Sequence, residues 1–229
     1  MRLAVIPARG GSTRIPRKNV KPFAGRPMIA WSIDAALASG CFDRVIVSTD
    51  DEEIAAVAMS AGAEVPFMRP ADLSDDYTGT IPVIAHAISW MWEDACEPES
   101  VCCIYATAPF VRAEDIRRGQ RTLEESGADY AFSVTSFPFP IQRAVRVKAD
   151  GRMEMFHPEH FNSRSQDLEE AFHDAGQFYW GRTEAWLEGR PLFSPRAAAV
   201  VLPRYRVQDI DTLEDWDRAE LMFAAVRER

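Results

Sequence analysis

Residues 2–28, RLAVIPARGGSTRIPRKNVKPFAGRPM, decide the reading of this chain. Leu3 to Ile6 is an apolar run of strand length that gives way at once to adjacent glycines and a crowd of cations. Arg9, Arg14, Arg17, Lys18, Lys21 and Arg26 fall within 18 positions, and no acid precedes Asp34. Like charges this close repel one another, so the loop calls for an anion to relieve them. A strand leading into Gly-Gly and cations at the carboxyl edge of a sheet suits bound phosphate groups.

The pattern downstream supplies that sheet. Strands are expected at Arg2–Ile6, Arg44–Ser48 (apolar and β-branched), Ala63–Phe67, Val101–Tyr105 and Asp129–Val134. Between them, helical periodicity is expected over Pro27–Leu37 (Pro in the first turn), Asp51–Ser60, Ile81–Glu93 and Ala113–Glu125. Such alternation predicts an α/β fold in three layers, Rossmann-like, with a mostly parallel sheet and right-handed crossovers. From Thr135 to about Ala175 the rhythm breaks into prolines and scattered aromatics, too long a stretch to be idle connection. GQFYWG (176–181) and AAVVLP (198–203) read as strands returning to the sheet. Thr212 caps a closing helix that runs to Arg227, with Asp215 at its third position. The whole is expected to be one domain, 1–229, carrying an inserted segment at about 136–176.

Composition narrows the function classes. The formal net charge is -9, yet the first 33 residues hold seven Lys or Arg and no acid. The remainder therefore sets 19 basic against 35 acidic residues. That acidic surface argues against nucleic-acid binding, which needs an extended basic face. One focused basic site in an acidic protein suits a small polyanion such as a nucleoside triphosphate. No run of 18 apolar residues appears, and the chain enters a strand without a leader pattern, so no membrane partner is expected. Cys41, Cys96, Cys102 and Cys103 lack metal-ligand or disulfide spacing, and a reduced, cytoplasmic setting is expected. HPEH (157–160) offers two histidines without further ligands, too little for zinc.

The opening loop is neither the G-x-G-x-x-G dinucleotide fingerprint nor a Walker A loop. Its ingredients still suit a triphosphate. Gly10 and Gly11 let backbone N–H groups approach anionic oxygens, Ser12 adds a hydroxyl, and the cations neutralise charge. Each hydrogen bond to a charged group is worth about 1.5–3 kcal/mol, so a few hold a nucleotide. Asp209 and Asp211 in QDIDT (208–212) stand two apart, so on a strand both carboxylates would face one side and suit Mg²⁺. Spacing alone allows equally that Asp211 only caps the helix.

IPARGGSTRIPRKNVKPFAGRPMIAWSI (6–33) resembles the signature of the cytidylyltransferases that activate sialic-acid-like sugars. VIVSTDDEEIA, AEVPFMRPADLSDD, ATAPFVRAEDI, RSQD and VQDIDTLEDW follow in that family's order, so the resemblance spans the chain. YTGT, CCIYATAP, FPFPIQRA and FHDAGQFYWG are more similar to the branch acting on pseudaminic acid than to the N-acetylneuraminate branch. The resemblance implies a nucleotide-diphospho-sugar transferase fold. It also implies the reaction: CTP and a nonulosonic acid, here pseudaminic acid, give the CMP-sugar and pyrophosphate for bacterial surface glycans or flagellin. CMP-N-acetylneuraminate or CMP-legionaminate synthesis are its close alternatives.

By position, the resemblance places Arg9 and Lys18 on phosphates, Ser12 and Asn19 on the nucleotide's sugar or base, and Arg69 and Thr80 around cytidine, with Ala8 alongside. Arg14, Lys21, Asp209 and Asp211 join Arg9 and Lys18 as catalytic candidates, and Asp209 and Asp211 become Mg²⁺ ligands. For the sugar acid it points to Arg143 and Arg164 on the carboxylate, and to Gln166 and Asp167 on hydroxyl or acetamido groups. Phe178 and Tyr179 would form apolar walls, with Thr107, His173 and Gln177 as further contacts. A homodimer completing its sugar pockets across the 136–176 segment is also implied. One departure stands out: Thr13 occupies the position where the family usually has a phosphate-binding Lys, and Arg14 or Lys21 would have to supply that charge. Two other readings compete. A nucleotide-sugar glycosyltransferase could use DID as a D-x-D motif, but its diphosphate leaving group rarely needs so many cations after strand one. A non-catalytic CTP-binding paralogue would account for Thr13.

Overall fold

The computed structural model describes residues 1–93 and 97–227. Ten strands and six α-helices succeed one another: β1 (Arg2–Pro7), β2 (Pro22–Phe23), β3 (Arg26–Pro27), α1 (Met28–Ser39), β4 (Arg44–Ser48), α2 (Glu52–Ser60), α3 (Thr80–Glu93), β5 (Ser100–Ile104), α4 (Ala113–Ser126), β6 (Tyr130–Ser136), β7 (Val145–Val147), β8 (Met153–Met155), β9 (Phe172–Arg182), α5 (Thr183–Leu187), β10 (Ala197–Val201) and α6 (Leu213–Arg227). Six strands form the central sheet in the order β10-β6-β9-β5-β1-β4. Five run parallel, and β9 lies antiparallel between β5 and β6.

Strand alternation explains the three layers. Ala4 and Ile6, Val45 and Val47, Cys102 and Ile104, and Phe178 and Trp180 face the side covered by Ile29, Ile33, Ile54 and Ile116. Their alternates Leu3, Val5, Ile46, Val101, Cys103 and Tyr179 face the side covered by Ile84, Ile88, Met91 and Trp186. Both faces are therefore buried, which accounts for the nearly continuous apolar strands. Cys41, Cys102 and Cys103 are buried free thiols; Cys96 lies outside the described residues. A third cluster joins Ile15, Phe23, Met28 and Phe110 to Trp216, Ala219 and Phe223, so α6 packs beneath the opening loop.

Three expectations are corrected. Ala63–Phe67 is not a strand: its one bridge to the sheet is the isolated pair of Ile46 with Glu64, and a second, Thr49 with Met68, follows just beyond it. The segment expected to be irregular is a patchwork of short 3₁₀ turns with the hairpin β7–β8, and β9 begins at Phe172 within it. Residues 207–211 form no strand, so the two-residue spacing of Asp209 and Asp211 does not act through a pleat. Thr212 does cap α6 with Asp215 reciprocally: Thr212 N–H donates to Asp215 at 2.9 Å, and Asp215 N–H to the Thr212 hydroxyl at 3.2 Å. The cap is thus Thr212, and Asp211 is left for other work. Among the described residues, no helix is long and apolar enough to cross a membrane.

Candidate active site

The sheet positions a cleft. β1 pairs with β4 on one side and β5 on the other, so the chain reverses its direction across the sheet at β1. Ligands of open α/β sheets bind beyond the carboxyl ends of the strands at such a switch point. A cleft of about 300 Å³ opens there, between the loop after β1, the segment 69–80 and residues Tyr105, Ala106 and Thr107 after β5.

The six cations of the opening loop divide into two sets. Arg9, Arg14 and Lys18 line the cleft, with Ser12, Thr13 and Asn19. Arg17 turns away to Asp51, Lys21 lays its ammonium 4.3 Å from the Trp216 ring centroid, and Arg26 pairs with Asp34 at 2.7 Å over Trp31. Lys21 is therefore not brought to the site; its charge is spent on a cation–π contact with α6. Arg14, next to Thr13, is the cation at hand for the missing lysine.

Carboxylates hold the inward set. Arg9 pairs with Asp76 at 2.5 Å, and Arg14 with Asp211 at 2.8 Å. Lys18 donates to the Ile210 carbonyl at 2.6 Å and lies 3.5 Å from Asp211, which draws the 207–211 segment onto the loop. Asn19 donates to the Arg9 carbonyl at 2.9 Å. Gly10 spends its N–H on Asp50 at 2.9 Å, while Gly11 is exposed with open space where a Cβ would stand. Ala8 is buried, its N–H bound to the Ser48 carbonyl at 2.9 Å.

Across the cleft, Arg69 is buried with Asp50 at 3.8 Å and a bond to the Ser74 hydroxyl at 3.1 Å. Burial lowers its pKa while Asp50 opposes the shift. Thr80 opens α3 and shares a 3.0 Å hydrogen bond with the Tyr105 hydroxyl, whose pKa burial raises. Asp75 folds the intervening loop by accepting the N–H and hydroxyl of Thr78 at 2.7 and 2.6 Å, which hold its carboxyl below the usual range. Asp75, Asp76, Thr78 and Tyr105 are cleft residues that the sequence reading did not assign. Asp75 and Asp76 stood in the quoted ADLSDD motif, and that was the available signal.

Asp209 keeps an exposed face, yet the protein around its carboxyl, and next Asp211, raise its pKa above the ordinary aspartate value. It makes no salt bridge among the described residues, whereas Asp211 holds two cations. A carboxylate pair strained by its own charge, with hard oxygen donors, fits a divalent cation such as Mg²⁺. Among the described residues no third His, Cys, Asp or Glu completes a cluster, so other ligands would have to be water or substrate oxygens.

The sugar-acid candidates are scattered. Thr107 lines the cleft. Arg143, Arg164, Gln166 and Asp167 are exposed on the inserted segment, where Arg164 pairs with Asp167 at 2.7 Å and Arg143 reaches Ser165 at 3.5 Å. His173 donates to the Asp174 carbonyl at 2.8 Å with its ring 4.8 Å from Phe137. Gln177 is buried and donates to the Arg206 carbonyl at 2.5 Å. Phe178 corrects its expectation. It is wholly buried against Gly119 and Trp180, a core residue rather than a pocket wall. Tyr179 is likewise buried, its hydroxyl bonded to Asp174.

Fold and cleft together define an α/β nucleotide-binding enzyme with a cation-lined site. In fold the chain is similar to CMP:2-keto-3-deoxy-manno-octonic acid synthetase complexed with CTP, at a TM-score of 0.70, 17% identity and 98% coverage of both chains. The family model described as cytidylyltransferase matches residues 3–202, and the chain belongs to that family of nucleotidyltransferases. It is 44% identical to pseudaminic acid cytidylyltransferase of Campylobacter jejuni over 96% of this chain and 95% of that protein. CMP-N,N'-diacetyllegionaminic acid synthase of Legionella pneumophila is 32% identical over 95% of this chain and 94% of that protein.

Proposed function

We propose that this protein transfers CMP from CTP to pseudaminic acid, releasing pyrophosphate. The carrying observation is the 44% identity to the Campylobacter jejuni enzyme along nearly the whole chain, against 32% to the legionaminic acid synthase. The cleft supplies the physical reason. Arg9, Arg14 and Lys18 neutralise a triphosphate, and their present partners Asp76 and Asp211 occupy those charges until it arrives. Arg69 and Thr80 face them across the cleft, and on this reading that side receives cytidine.

In the reaction, the sugar's anomeric hydroxyl attacks the α-phosphorus in line: its oxygen bonds to phosphorus as the bond to the pyrophosphate oxygen breaks, and the hydroxyl proton is given up to solvent. Little of the rate has to come from covalent chemistry by the protein, because positioning and charge stabilisation suffice. Arg9, Arg14 and Lys18 hold the β- and γ-phosphates and stabilise the charge that grows on the leaving group. Asp209 and Asp211 would hold Mg²⁺, which when bound supplies Lewis-acid stabilisation of phosphate oxygens and acidifies a hydroxyl nearby.

The 136–176 segment works as a dimerisation and sugar-binding insertion of a single-domain chain. Its support is a row of exposed apolar side chains, Phe139, Val147, Met153 and Phe161, on a segment that also carries Arg143 and Arg164. The protein acts in the cytoplasm, where CTP is available. Pyrophosphate release from CTP and Mg²⁺ with pseudaminic, legionaminic and N-acetylneuraminic acids side by side tests the reading. Fastest turnover on pseudaminic acid supports it; preference for either other acid reassigns the substrate, and no release with any acid removes the enzymatic function.

A further inference from the structure

We infer that Arg17 and Asp51 form a clamp that holds the cationic loop in the shape its phosphate ligands need. Both are positioning residues for CTP, and the inference rests on the nucleotide reading above. Residues 8–21 join no strand ladder and no α-helix, and scattered backbone bonds hold them only at separate points, so side-chain contacts share in setting the loop. Asp51 stands at the start of α2, where its carboxylate accepts the Ile54 N–H at 3.0 Å. The same carboxylate receives the Arg17 guanidinium in two bonds, at 2.5 and 2.9 Å, and Glu53 gives Arg17 a second acidic partner.

Two features separate this contact from an ordinary surface ion pair, which is worth little. Arg17 has φ 58°, a left-handed conformation uncommon outside glycine and shared among the described non-glycine residues only with Ala24. In that conformation the Arg17 carbonyl accepts the N–H groups of Val20 and Lys21 at 3.0 and 2.9 Å, and the next residue, Lys18, reaches Ile210. The other arm of the loop closes on the same carboxylate. A Cβ on Gly10 would stand 2.7 Å from Asp51 Oδ2 and 3.0 Å from its Cβ. Asp51 cannot swing aside, because Arg17 and Ile54 hold it. The clamp therefore lies beside Arg9 at one arm and Lys18 at the other, the two cations facing the cleft. Arg17 holds the Asp51 carboxyl down to about 2, so the pair stays ionised at neutral pH.

Arg17→Gly tests the clamp, since glycine adopts the left-handed conformation freely and the fold is not endangered. CTP affinity by calorimetry, KM and kcat by pyrophosphate release, thermal midpoint and amide hydrogen exchange are measured on the full chain. In Arg17→Gly, CTP affinity falls about tenfold and KM for CTP rises in step, with KM for the sugar acid and the thermal midpoint held, as expected for misplaced binding groups. Gly10→Ala produces a similar loss alone but little more on top of Arg17→Gly, because the freed Asp51 can yield. Asp51→Asn, which keeps the helix cap, follows Arg17→Gly. CTP affinity within twofold of the parent in Arg17→Gly, or additive losses in the double variant, overturns the clamp. A parent chain that binds no CTP overturns the nucleotide reading instead. Hydrogen exchange remains decisive in that case: amides 9–19 exchanging no faster in Arg17→Gly overturn the clamp itself.

Discussion

The opening loop and the inserted segment before β9 are both long stretches outside the main sheet, and they are stabilised in opposite ways. The loop's chemistry is polar and closes within the chain: Arg9, Arg14, Arg17 and Lys18 all find carboxylates supplied by Asp76, Asp211 and Asp51. The insertion pairs some of its own charges, as in Arg146 with Glu154, but leaves apolar side chains open, with Phe139, Met153 and Phe161 each more than two-thirds exposed. The loop keeps its shape in water because carboxylates already pair its cations; on the proposed reading Arg9, Arg14 and Lys18 exchange theirs for phosphate while Arg17 keeps Asp51. An apolar strip gains stability only when another surface covers it. On the proposed reading, one region receives a ligand and the other a protein surface.

The largest expected effect breaks the first half of that comparison. Asp211→Ala removes a proposed metal ligand and the partner of Arg14 and Lys18, and should lower kcat by at least about 10²–10³-fold, with the fold intact by circular dichroism. Robust Mg²⁺-dependent turnover in that variant would remove the metal assignment. The second half is tested by Phe139→Asp with Phe161→Asp, which should shift a homodimer toward monomer in sedimentation. Catalysis should fall more than CTP binding, since the residues proposed for the nucleotide lie away from the insertion. A variant that stays dimeric separates the exposed strip from assembly.

A smaller effect concerns stability away from both regions. Asp129 is buried beneath Arg190 and Arg196, at 2.7 and 2.5 Å, and Arg196 foremost holds its carboxyl down to about 2. A depressed acid stabilises the fold above its unfolded value near 4 and loses that contribution as pH falls toward 2. Asp129→Asn should therefore cost about 1–2 kcal/mol at pH 7 in urea titration, discounted for the solvent around Arg196, and the difference from the parent should shrink toward pH 2. The smallest effect is at Thr13. Thr13→Lys should leave activity equal or modestly higher, because Arg14 already carries a cation into the cleft. A large loss would give Thr13 a role of its own.

Much of this is legible in the amino-acid sequence. Apolar runs of strand length and helices of 3.6-residue period report local burial, so β1, β4, β5, β6 and the four helices between β1 and β6 form close to where the pattern puts them. The Thr212–Asp215 cap is likewise local chemistry. The failures have one cause. Ala63–Phe67 has strand composition, but pairing depends on a neighbour, and only single bridges form. Phe178 and Tyr179 look like pocket aromatics in a polar stretch, yet the alternation of β9 sends them into the two cores.

The amino-acid sequence by itself determined the α/β alternation, the family and the presence of a cationic loop after the first strand, because those follow from local periodicity and a dense motif. Only the tertiary structure decided which cations serve the site. Arg9, Arg14 and Lys18 turn inward while Arg17, Lys21 and Arg26 are held by Asp51, Trp216 and Asp34, residues from 8 to 195 positions away. Charge is a property of a residue, but its direction is set by the partner that the fold brings alongside.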